Sequence, residues 1–208
     1  MPLVYQQNIN LHSKLGLWHI SEPESFFTEK NIFADDVKHP HKRLQTLTGR
    51  LLLTELEPRF PLNEVLIAPT RKPFLINDPY HFSISHCDNY AAAIISSEER
   101  VGVDIEVPQQ KIFSLKEKFL SGAEQILVKA EGKDGMASLT MAWCMKEAVY
   151  KWYGSGGVNF REHMPITEFS GVRNRYKGEI SFRKNGGRCI KLDGLLINGN
   201  CLAWVCSS

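Results

Sequence analysis

Two carboxylates separated by a single residue are the first feature of this chain that suggests chemistry. In the segment GVDIE, apolar residues alternate with Asp104 and Glu106. Successive side chains of a strand point to opposite faces, so Asp104 and Glu106 would stand side by side on one face. Such carboxylates repel each other unless they are solvated or share a cation, and Mg²⁺ takes oxygen ligands together with phosphates. A strand with a solvated acidic face fits the same spacing, so both interpretations stay open here.

A second charged pair lies on a helix predicted from about Gly135 to Tyr153. Positions 142, 145, 149 and 152 form an apolar stripe, and Glu147 and Lys151 project together from another face. An exposed ion pair of this kind contributes about 0.5 kcal/mol or less. The alternative is functional: Glu147 would be a third metal ligand or a base, and Lys151 a phosphate partner.

Polar and basic residues in the first half of the chain form a third group. Ser83 and Ser85 share one face of a predicted strand that ends near His86. The sequence has no G-x-S-x-G elbow, which disfavours a nucleophilic serine. His86 would either bind a phosphate or ribose, or be a structural histidine at a turn.

Cations extend this third group. Arg43 and Arg50 lie seven residues apart on one predicted helix face, and Lys72 lies in a loop. A solvated helix face explains the two arginines equally well.

The elements that position these residues follow from hydrophobic periodicity. Leucines at helical spacing predict a helix from Pro40 to Glu57. Alternation over residues 81–86 and 101–107, with an apolar run at 90–95 between them, predicts a three-stranded antiparallel meander. Residues 114–153 predict one or two short helices and then the long one. Further strands are predicted at 166–173, 178–183, 188–192 and 201–206. The order helix, sheet, helix, sheet favours an α+β fold, and residues 90–95 and 201–206 are candidates for equivalent strands of two halves.

Composition narrows the class of protein. The 208 residues are 43% hydrophobic and 23% charged, as expected of a globular chain, and the net charge of +2 argues against nucleic-acid or membrane binding by the whole chain. Residues 151–208 carry nine Lys/Arg and four Asp/Glu, which suits either an acidic partner or a solvated sheet face.

Five cysteines without a C-x-x-C pair disfavour a disulfide framework or a structural zinc site. With neither a leader nor a long apolar run, the expected location is the cytoplasm.

Five segments, taken in order, resemble the 4′-phosphopantetheinyl transferases of the longer, monomeric, surfactin-synthetase-activating type. They are KP at 72–73, FSISH at 82–86, GVDIE at 102–106, FLSGAE at 119–124 and WCMKEAVYK at 143–151. The resemblance runs from about Arg43 to Gly157. Three residues depart from the family pattern, namely Arg71 in place of glycine, and Cys87 and Cys144 in place of serine or threonine.

The resemblance implies a fold and an activity. The fold would be a pseudo-two-fold duplication of an α+β half-domain, with halves 1–103 and 104–208, an antiparallel sheet packed on helices in each, and the active site in the cleft between them. The activity would be transfer of phosphopantetheine from coenzyme A to a serine of an apo acyl or peptidyl carrier protein, with release of adenosine 3′,5′-bisphosphate. Mg²⁺ would be required, with Mn²⁺ as a possible substitute. The expected protein is a monomer that binds neither nucleic acid nor membrane.

The resemblance also assigns roles to residues. Asp104, Glu106 and Glu147 would bind the metal, Lys151 would neutralise charge on the pyrophosphate, and Glu147 or a metal-bound water would accept the serine proton. Contacts to coenzyme A are expected from eight residues: Arg43, Arg50, Lys72, Ser85, His86, Asp104, Lys146 and Lys151. Two alternatives are a non-catalytic module that binds coenzyme A or a carrier protein, and an α+β interaction protein without an active site.

Overall fold

The computed structural model describes residues 2–34, 37–130 and 135–207. Contacts divide the chain into two compact units, one extending to Val101 and the other covering Gly102–Ser207. The division lies two residues before the predicted half-domain boundary at 103/104.

The first unit is a four-stranded sheet covered by a long helix. Its elements are β1 (Leu3–Asn8), β2 (Ser13–His19), α1 (Glu24–Thr28), α2 (Pro40–Leu56), the two-residue strands β3 (Leu66–Ile67) and β4 (Pro73–Phe74), β5 (His81–Cys87) and β6 (Tyr90–Ser96). The sheet order is β1-β2-β6-β5, with antiparallel pairing throughout. β3 and β4 form a separate small hairpin.

Helix α2 confirms the prediction for residues 40–57 to within one residue. Pro40 lies in the first turn of α2, where a backbone N–H has no partner within the helix, so proline's lack of an N–H has no cost there. The His39 side chain accepts a hydrogen bond from the Lys42 backbone N–H. The apolar face of α2 is buried against β2 and β6 and supplies much of the core of this unit, through Leu47, Leu51, Leu52, Leu53 and Leu56.

The second unit is a five-stranded sheet covered by another long helix. Its elements are β7 (Arg100–Glu106), α3 (Gln110–Phe119), α4 (Gly122–Ala130), α5 (Gly135–Tyr153), α6 (Phe160–His163), β8 (Ile166–Val172), β9 (Arg175–Phe182), β10 (Arg188–Ile197) and β11 (Asn200–Ser207). The sheet order is β7-β11-β10-β9-β8, and the strands from β8 to β11 pair antiparallel. All four strands predicted after residue 165 are confirmed, although β9 and β10 are longer than expected.

The predicted meander is wrong in its third strand. β5 and β6 pair as expected, but β7 belongs to the other sheet, beside β11. The reason is that β6 already has a partner along each edge: β5 on one side and all seven residues of β2 on the other. Strands β1 and β2 were not among the predicted elements, so one edge of β6 was open for β7 in the predicted meander.

The two units share one topological pattern. In each, a strand before the helices lies beside the last strand of a hairpin, β2 beside β6 and β7 beside β11. In each, the long helix packs on that last strand, α2 on β6 and α5 on β11. The predicted α+β class, with antiparallel sheets packed on helices, is confirmed. In the part of the chain that the structure describes, no helix combines the length and apolar character needed to span a bilayer.

Candidate active site

The second unit places β7 against α5 at an unusually short distance. A Cβ atom on Gly102 would lie 2.0 Å from the carbonyl oxygen of Ala148 and 2.8 Å from the backbone nitrogen of Trp152. Only glycine permits this approach, because both neighbouring atoms belong to the backbone of the helix. The first residue of the GVDIE segment therefore allows the strand that carries the carboxylates to lie beside the helix that carries Glu147 and Lys151.

An ion pair joins the two elements. Lys151 Nζ of α5 donates a hydrogen bond to Asp104 Oδ1 of β7 over 2.7 Å. The Asp104 side chain is 6% exposed and that of Lys151 is 27% exposed, so the pair lies at the edge of the core with its lysine accessible to solvent. A partly buried pair of this length is stronger than an exposed one, because water screens it less.

Glu147, one turn before Lys151 on α5, lies in the electrostatic field of the β7 carboxylates. Burial raises the pKa of Glu147 to about 7, and the negative charges of Asp104 and Glu106 add to the rise against the opposing charge of Lys151. Three predicted metal ligands are thus brought close enough to interact electrostatically, and Glu147 is poised to exchange a proton near neutral pH.

The donor set suits a hard divalent cation. It consists of carboxylate oxygens alone, and their mutual repulsion is a cost that a bound divalent cation would remove. Over residues 2–34, 37–130 and 135–207, no three His, Cys, Asp or Glu side chains are arranged closely enough to hold a metal ion. Asp104, Glu106 and Glu147 suit such a cation by the chemistry of their oxygen atoms, and their assignment as its ligands remains a prediction.

Lys146 does not face this group. Its side chain is fully buried, and Nζ donates hydrogen bonds to Glu124 Oε1 at 2.5 Å, to the carbonyl of Phe119 at 2.5 Å and to the carbonyl of Phe160 at 3.1 Å. An ammonium has three donors, so a direct bond from Lys146 to a phosphate would require this network to break.

A cavity of about 370 Å³ opens beside Glu147. Its other lining residues, none of which the sequence analysis had assigned to a site, are Lys118, Phe119, Trp143, Asn159 and Phe160. The Trp143 ring lies 5.0 Å from that of Phe119 and 5.6 Å from that of Phe160, measured between centroids. One feature of the sequence could have indicated that Trp143 lies near the site. Positions 143 and 147 are four residues apart, which puts Trp143 on the same face of α5 as Glu147.

The first unit holds the other residues assigned to coenzyme A. On α2, Arg43 Nε lies 3.3 Å from Glu24 Oε2, and Arg50 donates a hydrogen bond to the carbonyl of Phe33. Ser85 is buried within β5, whereas His86 is exposed.

Lys72 precedes β4 and is partly buried. Burial and the charge of Arg100 lower its pKa, against an opposing effect of Asp78. The coenzyme A contacts assigned to these five residues remain predictions.

The three departures from the family pattern have clear structural settings. Arg71, which replaces glycine, has a φ of 66°, in the left-handed region that favours glycine. Cys144 is fully buried, and its thiol donates to the carbonyl of Cys201 on β11. Cys87 is buried at the end of β5. The two cysteines thus occupy interior positions.

Comparison with known proteins assigns this arrangement to a class. Residues 100–194, which include β7, α5 and the candidate ligands, match the family model of the 4′-phosphopantetheinyl transferase superfamily. This match agrees with the resemblance that the ordered segments had indicated.

Individual relatives support the same class. The chain is similar to the 4′-phosphopantetheinyl transferases AcpT of Salmonella typhi and Salmonella typhimurium, with 33% identity over 117 residues in each case, covering 54% of this chain and 60% of each relative. It is also similar to enterobactin synthase component D of Salmonella typhi, with 38% identity over 87 residues, covering 41% of this chain and 36% of that protein. The matched region thus covers less than two thirds of these relatives.

Proposed function

We propose that this protein transfers the 4′-phosphopantetheine group of coenzyme A to a serine of an apo acyl or peptidyl carrier protein, as an enzyme of the longer, surfactin-synthetase-activating type. The observation that carries the proposal is the ion pair between Asp104 on β7 and Lys151 on α5, with Glu147 in the electrostatic field of Asp104 and Glu106. All four residues lie within the region that matches the superfamily, and a charged pair of 2.7 Å joins the strand to the helix.

In the proposed reaction the serine hydroxyl oxygen attacks the phosphorus that bears the pantetheine. The bond from that phosphorus to the bridging oxygen breaks, and adenosine 3′,5′-bisphosphate leaves with the bridging oxygen. The serine proton would pass to Glu147, whose pKa burial and the β7 carboxylates raise to about 7 in the metal-free protein. Lys151, whose side chain is 27% exposed, would stabilise the negative charge that spreads over the phosphates.

Asp104, Glu106 and Glu147 would hold Mg²⁺. When bound, the ion supplies positive charge against the pyrophosphate and neutralises the repulsion among the three carboxylates. Asp104 has a second task within the chain itself: its hydrogen bond holds the Lys151 ammonium at the edge of the site. Glu147 is one of the residues that line the cavity.

The proposal is tested by intact-mass spectrometry of a panel of apo carrier proteins incubated with this protein, coenzyme A and Mg²⁺. A mass gain of one phosphopantetheine is expected on at least one carrier, and EDTA should abolish it. Asp104→Ala should also abolish it. Asp193→Ala is the matched control, because Asp193 pairs with Lys177 at 3.9 Å on an exposed sheet face.

A carrier that Asp104→Ala still modifies at the wild-type rate would contradict the assigned site. No gain on any carrier, together with calorimetric binding of coenzyme A, would favour the non-catalytic module instead. The presence of Glu147 and Lys151 beside Asp104 supports the enzyme.

A further inference from the structure

A buried charged pair lies behind the candidate active site. Lys146 is 0% exposed and Glu124 is 2% exposed, and their charged atoms are 2.5 Å apart. The pair is separate from the carboxylates of β7 and has no part in the mechanism proposed above. A buried pair of charges must overcome a desolvation cost that an apolar pair would avoid, so its stabilising effect alone does not account for its presence.

Every polar atom of the pair is used to join elements of the second unit. Glu124 Oε2 accepts the backbone N–H of Ser121 at 2.7 Å, and the Ser121 hydroxyl accepts the N–H of Glu124 in return, which forms a capping box at the start of α4. Glu124 Oε1 accepts both Lys146 Nζ and the backbone N–H of Ile166 on β8, the latter at 2.9 Å. The network therefore ties α4 and α5 to the sheet.

The remaining two bonds of Lys146 reach the cavity beside Glu147. They bind the carbonyls of Phe119, at the end of α3, and of Phe160, at the start of α6. Both phenylalanines are among the residues that line that cavity, and both of their rings contact the ring of Trp143. Lys146 thus holds the backbone of two residues that line the cavity. It also directly precedes Glu147 on α5.

We propose that Glu124 and Lys146 are positioning residues that hold the cavity beside Glu147 in the shape needed for transfer. They act through Phe119 and Phe160, without contact with the substrates. The proposal rests on the proposed function for its activity readout. Positioning of this kind affects the rate of the chemical step, because small displacements of reacting groups cost about tenfold to hundredfold in rate.

Three variants separate positioning from stability. Lys146→Met removes the bonds to both carbonyls and leaves Glu124 buried without its counter-charge, so a large loss of stability is expected. Glu124→Gln keeps an acceptor for Ile166 and removes one charge. The double variant Glu124→Gln/Lys146→Met removes both charges, which should restore much of the Tm, but it still lacks the bonds to Phe119 and Phe160.

The expected result is that kcat of the double variant stays at least tenfold below wild type, while the calorimetric Kd for coenzyme A remains within about threefold. Ile190→Ala, in the same core on β10, is the control for lost stability: below its Tm, its kcat should remain at the wild-type level. A double variant with wild-type kcat would overturn the proposal, because the pair would then contribute only to folding.

Hydrogen exchange followed by mass spectrometry gives a readout that needs no turnover. In the double variant, amide protection should fall in peptides covering residues 117–122 and 159–163, and remain unchanged in β9 and β10. Unchanged protection in the first two segments would overturn the proposal even if the double variant had lost activity. A wild-type protein that modifies no carrier would count against the proposed function, and the exchange data would still decide whether the pair holds the cavity wall.

Discussion

Gly102 and Ala148 are in closer contact than any other residue type would permit at position 102, because a Cβ there would lie 2.0 Å from the Ala148 carbonyl oxygen. This contact sets the distance between β7 and α5. Two residues beyond Gly102 lies Asp104, and three residues beyond Ala148 lies Lys151, its partner at 2.7 Å. The glycine thus determines whether the carboxylates and the lysine of the candidate site can meet.

Gly102→Ala should therefore damage stability and activity together. The methyl group would meet backbone atoms that cannot rotate away, so we expect the free energy of unfolding to fall by about 3 kcal/mol and transfer to carrier protein to be lost. Urea unfolding and the mass-spectrometric transfer assay check the two effects.

Gly122→Ala is the matched control for this prediction. Gly122 begins α4, and a Cβ there would have no neighbour within 4 Å. Alanine is the better helix former, so a change in the unfolding free energy between zero and about 1 kcal/mol of stabilisation is expected. If Gly102→Ala proved as mild as Gly122→Ala, the close approach of β7 to α5 would be contradicted.

Arg71 provides a second backbone test. Its φ of 66° costs a non-glycine residue about 1 kcal/mol or more, and its N–H donates to the Ala68 carbonyl at 2.8 Å within the β3-β4 loop. Arg71→Gly should be more stable than Arg71→Ala by about 1 kcal/mol, because alanine keeps the strain and glycine removes it. Thermal unfolding of the two variants measures the difference, and an equal Tm for both would argue against the left-handed conformation.

Local patterns in the sequence predicted much of the second unit correctly. The alternation in GVDIE put Asp104 and Glu106 on β7, and helical spacing put Glu147 and Lys151 on one face of α5, as the structure places them. These predictions depended only on the periodicity of a single element, which neighbouring elements do not alter.

Features that depend on distant partners could not be predicted in this way. The assignment of β7 to the meander was wrong because β2 already pairs with that edge of β6. β2 lies more than seventy residues earlier in the chain than β6. Lys146 looked like an active-site lysine because it adjoins Glu147, yet consecutive helical residues point in directions about 100° apart. Its contact with Glu124 spans 22 positions, and no periodicity within α5 indicates it.

Metal binding should depend on Asp104 in a way that stability measurements detect. A ligand that binds only the folded state raises the Tm, so Mg²⁺ in the presence of coenzyme A should stabilise the wild-type protein. Asp104→Asn should lose this increase, because an amide is a weaker ligand and carries no charge. Differential scanning fluorimetry with and without Mg²⁺ gives the comparison, with Asp193→Asn as the control on an exposed strand position. An undiminished Mg²⁺ effect in Asp104→Asn would remove Asp104 from the proposed ligand set.

The raised pKa of Glu147 predicts how stability without metal depends on pH. Burial first, and then the charge of Asp104, raise its pKa from an ordinary 4.5 to about 7 in the folded protein. Between these values the folded state holds a proton that the unfolded state has released, so the unfolding free energy should decrease as pH rises from about 4.5 to about 7. The contribution of the protonated carboxyl is complete below pH 4.5 and lost above pH 7.

Urea unfolding in EDTA across this range tests the dependence, with Glu147→Gln as the variant that cannot titrate. The difference in unfolding free energy between wild type and Glu147→Gln should change with pH across this window and be constant outside it. Glu124 serves as an internal comparison of opposite sign. Burial alone would raise its pKa, but the hydrogen bond and charge of Lys146 outweigh that effect and hold the pKa below its usual value, so its contribution is lost only as pH falls below about 4.5. If Glu147→Gln left the slope between pH 4.5 and 7 unchanged, Glu147 would not be the group that titrates there, and its assignment as the base for the serine proton would lose its physical support.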